Sequence, residues 1–123
     1  MDDFSFFFQP ADDRHVKQEK QKAKDLRQSA WWKNQLGKSI CYYCKSRVHP
    51  SELTMDHVVP IIRGGKTSRS NVVTACKNCN NQKKYMLPLE WQEYLRGLRA
   101  KAREQALQEK NTLEQADDNS QES

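Results

Sequence analysis

The sequence predicts a small α+β domain, a strand–loop–strand–helix core stapled by four cysteines and flanked by N- and C-terminal helices. Three observations predict it. Two pairs, Cys41-x-x-Cys44 and Cys76-x-x-Cys79, bound one segment. Inside that segment, Leu53-Thr54-Met55-Asp56-His57-Val58-Val59 reads as a short strand ended by Pro60, and Asn71-Val72-Val73-Thr74 as a returning strand. Outside it, the composition turns helical on both sides.

Taken in order, residues 1–13 read as an irregular arm carrying a short apolar cluster, Phe4 and Phe6 to Phe8. Residues 14–38 form a basic flanking helix, with Asp12 or Asp13 as N-cap and Gly37 as terminator. The core spans 39–87: after the first strand Gly64-Gly65 turns the chain, and Cys76 to Lys84 opens a short helix. Pro88 suits the first position of a second helix over 88–111, where Leu87, Trp91, Leu95, Leu98 and Ala102 recur at helical spacing and form one face to bury. Residues 112–123 run to Glu, Asp, Asn, Gln and Ser and are expected to be a disordered tail.

A chain of 123 residues has room for one compact domain and tails. With 36% hydrophobic residues, 30% charged and a mean hydropathy of −1.03, burial alone gives a marginal core, so a metal or disulfides are expected to reinforce it. The acidic start, Met1-Asp2-Asp3, and the short phenylalanine run do not read as an export signal, and no apolar run is long enough to span a bilayer. A cytoplasmic location is the expectation. In that reducing setting paired Cys-x-x-Cys motifs favour metal over disulfide.

Each Cys-x-x-Cys turn aims two sulfurs at one point, so Cys41, Cys44, Cys76 and Cys79 together can fill the four positions of a structural zinc ion. A redox pair or an iron–sulfur site are the alternatives. Four sulfurs around zinc leave no open position for water or substrate, and any catalytic group must lie elsewhere.

The order Cys41-x-x-Cys44, Asp56-His57, Gly64-Gly65, Asn71, Cys76-x-x-Cys79-Asn80-x-x-Lys83 resembles the zinc-containing branch of the HNH endonuclease family, His-Asn-Asn subtype, whose core is the ββα-metal fold. The resemblance covers residues 41–85 and implies a metal-dependent DNA endonuclease leaving 5′-phosphate and 3′-hydroxyl ends. By position it makes His57 the general base and Asp56 a ligand of a catalytic Mg²⁺ or Mn²⁺. Asn71 becomes the residue that steadies the loop and orients the histidine, and Asn80 the second metal ligand, where many members have histidine. On a strand, adjacent Asp56 and His57 point to opposite faces. Either the strand ends or bends between them, or the two address opposite sides of the phosphate. The resemblance implies the second, with base and metal flanking the scissile bond. His15 and His49 lie outside the pattern and read as ordinary exposed or structural histidines.

The charge distribution suits a polyanion partner: eight Lys/Arg oppose two Asp/Glu over residues 41–85, while residues 86–123 are net acidic. Arg63, Lys66, Arg69, Lys77, Lys83 and Lys84 surround the motif and are candidates for backbone phosphate contacts with duplex DNA. Arg14, Lys17, Lys20, Lys24 and Arg27 recur every three or four residues and place a second basic stripe on the first helix. Two competing readings remain: a non-catalytic zinc module that binds nucleic acid, and an interaction adaptor using its last helix. One site per chain implies nicking, and cutting both strands would call for a homodimer or two events.

Overall fold

The computed structural model describes the backbone of residues 10–121 and the side chains of residues 10–116. The order is helix α1 (Asp13–Arg27), helix α2 (Ala30–Gly37), strand β1 (Leu53–His57), strand β2 (Val72–Cys76), helix α3 (Lys77–Lys83) and helix α4 (Pro88–Gln121), with one-turn 3₁₀ segments at Pro50–Glu52 and Ile61–Arg63. The fold is α+β with a two-stranded antiparallel sheet. The chain divides into two units, Met1–Pro88 and Leu89–Ser123. The phenylalanine cluster of the expected arm lies outside the described residues.

The single helix expected over 14–38 is two helices. Asp12 caps α1, its side chain accepting from the His15 amide at 2.8 Å. The helix ends at Arg27, and Ser29 starts a new one by accepting from the Trp32 amide at 3.2 Å while donating to the Leu26 carbonyl at 2.6 Å. Serine suits a helix start because its oxygen takes an amide that has no partner inside the helix. Helix propensity does not locate that break. Trp32, at 3% exposure, joins Ala23, Met55 and Val72 in one small core, with Leu26, Trp31 and Leu36 against it. A second core of Cys41, Leu53, Ala75 and Cys79 lies under Tyr43 and Val48.

The sheet pairs Leu53 with Cys76 and His57 with Val72 at its two ends. This register sets Asp56–His57 at one end of the hairpin and the second cysteine pair at the other. The fourteen residues between the strands are held by Asn71, whose side chain donates to the Val59 carbonyl (3.0 Å) and the Lys66 carbonyl (2.8 Å) and accepts from the Val59 amide (2.9 Å). Gly64 takes a left-handed φ of 91° after the 3₁₀ turn, and Gly65 packs so tightly that an added Cβ would lie 1.7 Å from the Val59 carbonyl oxygen.

In the second unit, α4 continues to Gln121 where a disordered tail was expected beyond residue 111. After Gly97 nothing in that stretch breaks a helix: it holds neither glycine nor proline. The expected apolar face is only partly realised. Trp91 is buried and stacks on Tyr94 at 5.6 Å, whereas Leu98, Leu107 and Leu113 are exposed. No helix among the described residues is long and apolar enough to cross a membrane.

The close approach at Gly65 yields a test. Gly65→Ala should destabilise the protein by about 3 kcal/mol or more in urea unfolding, since only backbone movement can relieve the overlap. Gly37→Ala, with open space around the added carbon, should not destabilise it.

Candidate active site

Two clusters stand at opposite ends of the hairpin. At one end the sulfurs of Cys41, Cys44, Cys76 and Cys79 all lie within 4.8 Å of one another, and Cys44 and Cys76 are 3.9 Å apart. A tetrahedral zinc with bonds of about 2.3 Å spaces its sulfurs about 3.8 Å apart, whereas a disulfide needs about 2.05 Å, and all four thiols are free. The donor set is compatible with a structural zinc ion. Local geometry supports each pair: the Lys45 amide bonds the Cys41 carbonyl at 2.9 Å around the first turn. At the second, Cys76 caps α3 by accepting from the Cys79 amide at 3.4 Å.

At the other end a cavity of about 280 Å³ is lined by Asp56, His57 and Asn80, with Lys20 and Lys84 among its other walls. Asp56 and His57 both line this cavity, although each is still paired in the ladder, with Val73 and Val72.

His57 is half-buried, and burial holds its imidazole below the usual histidine range despite the neighbouring Asp56 carboxylate, which acts the other way. The ring is therefore neutral at pH 7. Its Nε2 lies 2.9 Å from the Thr67 hydroxyl, which lies 2.8 Å from the Glu19 carbonyl oxygen. Two oxygens that close need the hydroxyl proton between them. Thr67 therefore donates to Glu19, and its oxygen accepts from Nε2–H. The lone pair falls on Nδ1, which no described residue bonds and which is open to solvent.

Asp56 is 6% exposed, and its two neighbours both hold Oδ2: the Tyr43 hydroxyl donates to it and the Lys83 ammonium pairs with it at 3.1 Å. Burial, then the Asp56 carboxylate, push the Tyr43 phenol well above its usual range, so it stays a donor. Oδ1 has no described partner and is accessible. Asn80, in the middle of α3, likewise leaves its side-chain oxygen without a described partner; the helix is capped by Cys76, not by Asn80. One carboxylate oxygen and one amide oxygen are hard donors of the kind that magnesium or manganese takes.

Among the basic candidates, Lys83 is a correction. It is not a surface group: fully buried, it pairs with Asp56, donates to the His57 carbonyl at 3.1 Å and lies over the Tyr43 ring. It meets the buried carboxylate, which would otherwise stand unpaired in the core. Lys77 pairs with Glu52 at 3.2 Å, Arg63 donates to the Tyr85 carbonyl, and Arg69 lies over the Trp31 ring. Lys66 and Lys84 are exposed, as are Lys17, Lys20, Lys24 and Arg27 on α1; of these α1 residues, Lys20 reaches the cavity. Sequence reasoning missed Tyr43, Glu19 and Thr67. Glu19 carried a signal: an acid inside a basic run, four residues from both His15 and Ala23.

Two measurements test this geometry. The purified protein should carry one zinc per chain, and stripping it with a strong chelator should unfold the strands and α3 in circular dichroism, because structural sites contribute roughly 10–16 kcal/mol; a metal-free chain that keeps its fold would contradict the staple. Lys83→Met should cost about 3–5 kcal/mol in urea unfolding, and adding Asp56→Asn should recover part of the loss.

Against known families, residues 41–95 match the HNH endonuclease family. No curated protein matches the chain. The matched stretch contains all four cysteines, both strands, α3 and the start of α4, and it begins after α2. The similarity to that family thus spans the segment that holds the four cysteines, Asp56, His57, Asn71 and Asn80.

Proposed function

We propose that this protein is a metal-dependent endonuclease that hydrolyses phosphodiester bonds of duplex DNA, one strand at a time. The observation that carries the reading is the cavity lined by His57, whose neutral imidazole has no Nδ1 partner among the described residues, and by two hard oxygens likewise without one, Asp56 Oδ1 and Asn80 Oδ1.

His57 acts as general base. Its Nδ1 accepts a proton from water as the water oxygen attacks phosphorus; the bond to the 3′ oxygen breaks, and that oxygen leaves as a hydroxyl after taking a proton from solvent. The product ends are a 5′-phosphate and a 3′-hydroxyl. Asp56 and Asn80 would hold a magnesium or manganese ion, whose positive charge would supply charge stabilisation during cleavage. Lys83 and Tyr43 fix the Asp56 carboxylate by one oxygen and leave the other for the cation. Asn71 bonds both sides of the loop, and so sets where the end of β1 lies relative to Thr67.

Lys20 and Lys84 at the cavity are placed to pair with phosphates flanking the scissile bond, and the exposed stripe Arg14, Lys17, Lys24 and Arg27 extends that basic surface along α1. Lys66, Arg69 and Lys77 add charge on the core.

The decisive experiment follows supercoiled plasmid with Mg²⁺ or Mn²⁺. The native chain should nick it, and His57→Ala should lose on the order of 10²–10⁴-fold in rate while keeping its circular dichroism spectrum and zinc content. Equal nicking by both proteins would remove His57 as base. Binding without cleavage by either would favour a non-catalytic zinc module.

A further inference from the structure

The helix α1 lies outside the family segment, yet its contacts go to the loop that holds the histidine. The Ala11 amide, one residue before the Asp12 cap, donates to the Ile62 carbonyl at 2.7 Å. His15 Nε2–H donates to the Gly65 carbonyl at 2.9 Å. Glu19 takes the Thr67 amide on its carboxylate at 2.7 Å and the Thr67 hydroxyl on its backbone carbonyl at 2.8 Å. Residues 11, 15 and 19 recur at intervals of four and meet positions 62, 65 and 67 in order, with buried Ala23 continuing the same face.

Glu19 is the unusual member. It is a carboxylate at 3% exposure in a helix otherwise rich in lysine and arginine, and its second oxygen pairs with Lys22 at 2.9 Å. The Lys22 ammonium first, and the Thr67 amide second, hold its carboxyl below the usual range, so it is ionised at neutral pH. An ordinary solvated helix face does not bury such a group. One carboxylate oxygen and the backbone carbonyl of Glu19 both bond the residue, Thr67, that takes the His57 Nε2–H.

We propose that Glu19 and Thr67 are positioning residues of the catalytic histidine, and that α1 is a working part of the nuclease, clamping the loop so that Nδ1 of His57 faces the cavity. The inference rests on the endonuclease reading for its effect on rate. Its structural content stands apart: Glu19 orders Thr67, Thr67 accepts from Nε2–H, and the ring can then neither rotate freely nor place its proton on Nδ1.

The test has two arms on the full-length zinc-loaded protein. In the first, ring ¹⁵N and imidazole proton NMR above pH 7 should show His57 protonated on Nε2, with a slowly exchanging proton. In Thr67→Val that proton should exchange rapidly and shift, while Thr67→Ser restores it. In the second arm, Thr67→Val and Glu19→Ala should lower kcat for plasmid nicking about 10–100-fold, as lost orienting partners commonly do, with KM for DNA within about twofold. Glu19→Gln, which keeps an acceptor for the Thr67 amide, and Thr67→Ser should return to within about threefold of native.

A native ring carrying its proton on Nδ1, or Thr67→Val leaving both the Nε2–H signal and kcat unchanged, would overturn the clamp. A native protein that shows the Nε2–H signature but never nicks would instead overturn the nuclease reading. If Thr67→Val does not fold, the native NMR signature and the paired Glu19→Gln and Thr67→Ser variants still decide.

Discussion

Everything at the proposed active site depends on four sulfurs meeting at the far end of a five-residue hairpin. Two short strands carry little burial of their own, and the cores beneath them are small. Two strands in isolation are marginal in water. Gathering Cys41 and Cys44 with Cys76 and Cys79 ties the turn before β1 to the junction of β2 and α3, which fixes where α3 leaves the sheet. Since Asn80 directly follows Cys79, the same junction sets which α3 side chain reaches the cavity.

Around that staple the molecule spends its few buried polar groups on orientation. Asp56, Lys83 and Glu19 are the buried charged side chains among the described residues, and each bonds an element of the site. Lys83 ties α3 to β1 through Asp56 and the His57 carbonyl, and Glu19 ties α1 to the loop through Thr67. A buried charge without a partner is costly, so these contacts favour one arrangement of the helices and the hairpin over alternatives that separate the partners.

The fold class, the hairpin and the cysteine cluster were legible because each has a local signature: alternation bounded by proline and glycine, and paired cysteines at short spacing. The meeting of Asp56, His57 and Asn80 was legible only through the order of the motif, since strand alternation taken alone places the first two apart. Lys83 was misread because a charge count cannot tell an exposed ammonium from a buried one. Its neighbour Lys84 has the same formal charge and an exposed side chain, and the left-handed φ of 50° at Lys84 lies just where the chain leaves α3. The break at Ser29 was hidden because the residues on both sides favour helix. The length of α4 was underestimated because a polar composition suits both a solvated helix and a coil.

The double duty of Cys76 has a further consequence. Its sulfur both belongs to the cluster and receives the first-turn amide of α3, so a zinc ion held there and the helix backbone would share one atom. Oxidation at this position would strip a ligand and uncap the helix in a single event, and the chain would fail by an abrupt transition rather than by gradual fraying. Oxidative conditions therefore threaten this protein through its architecture before they reach its chemistry.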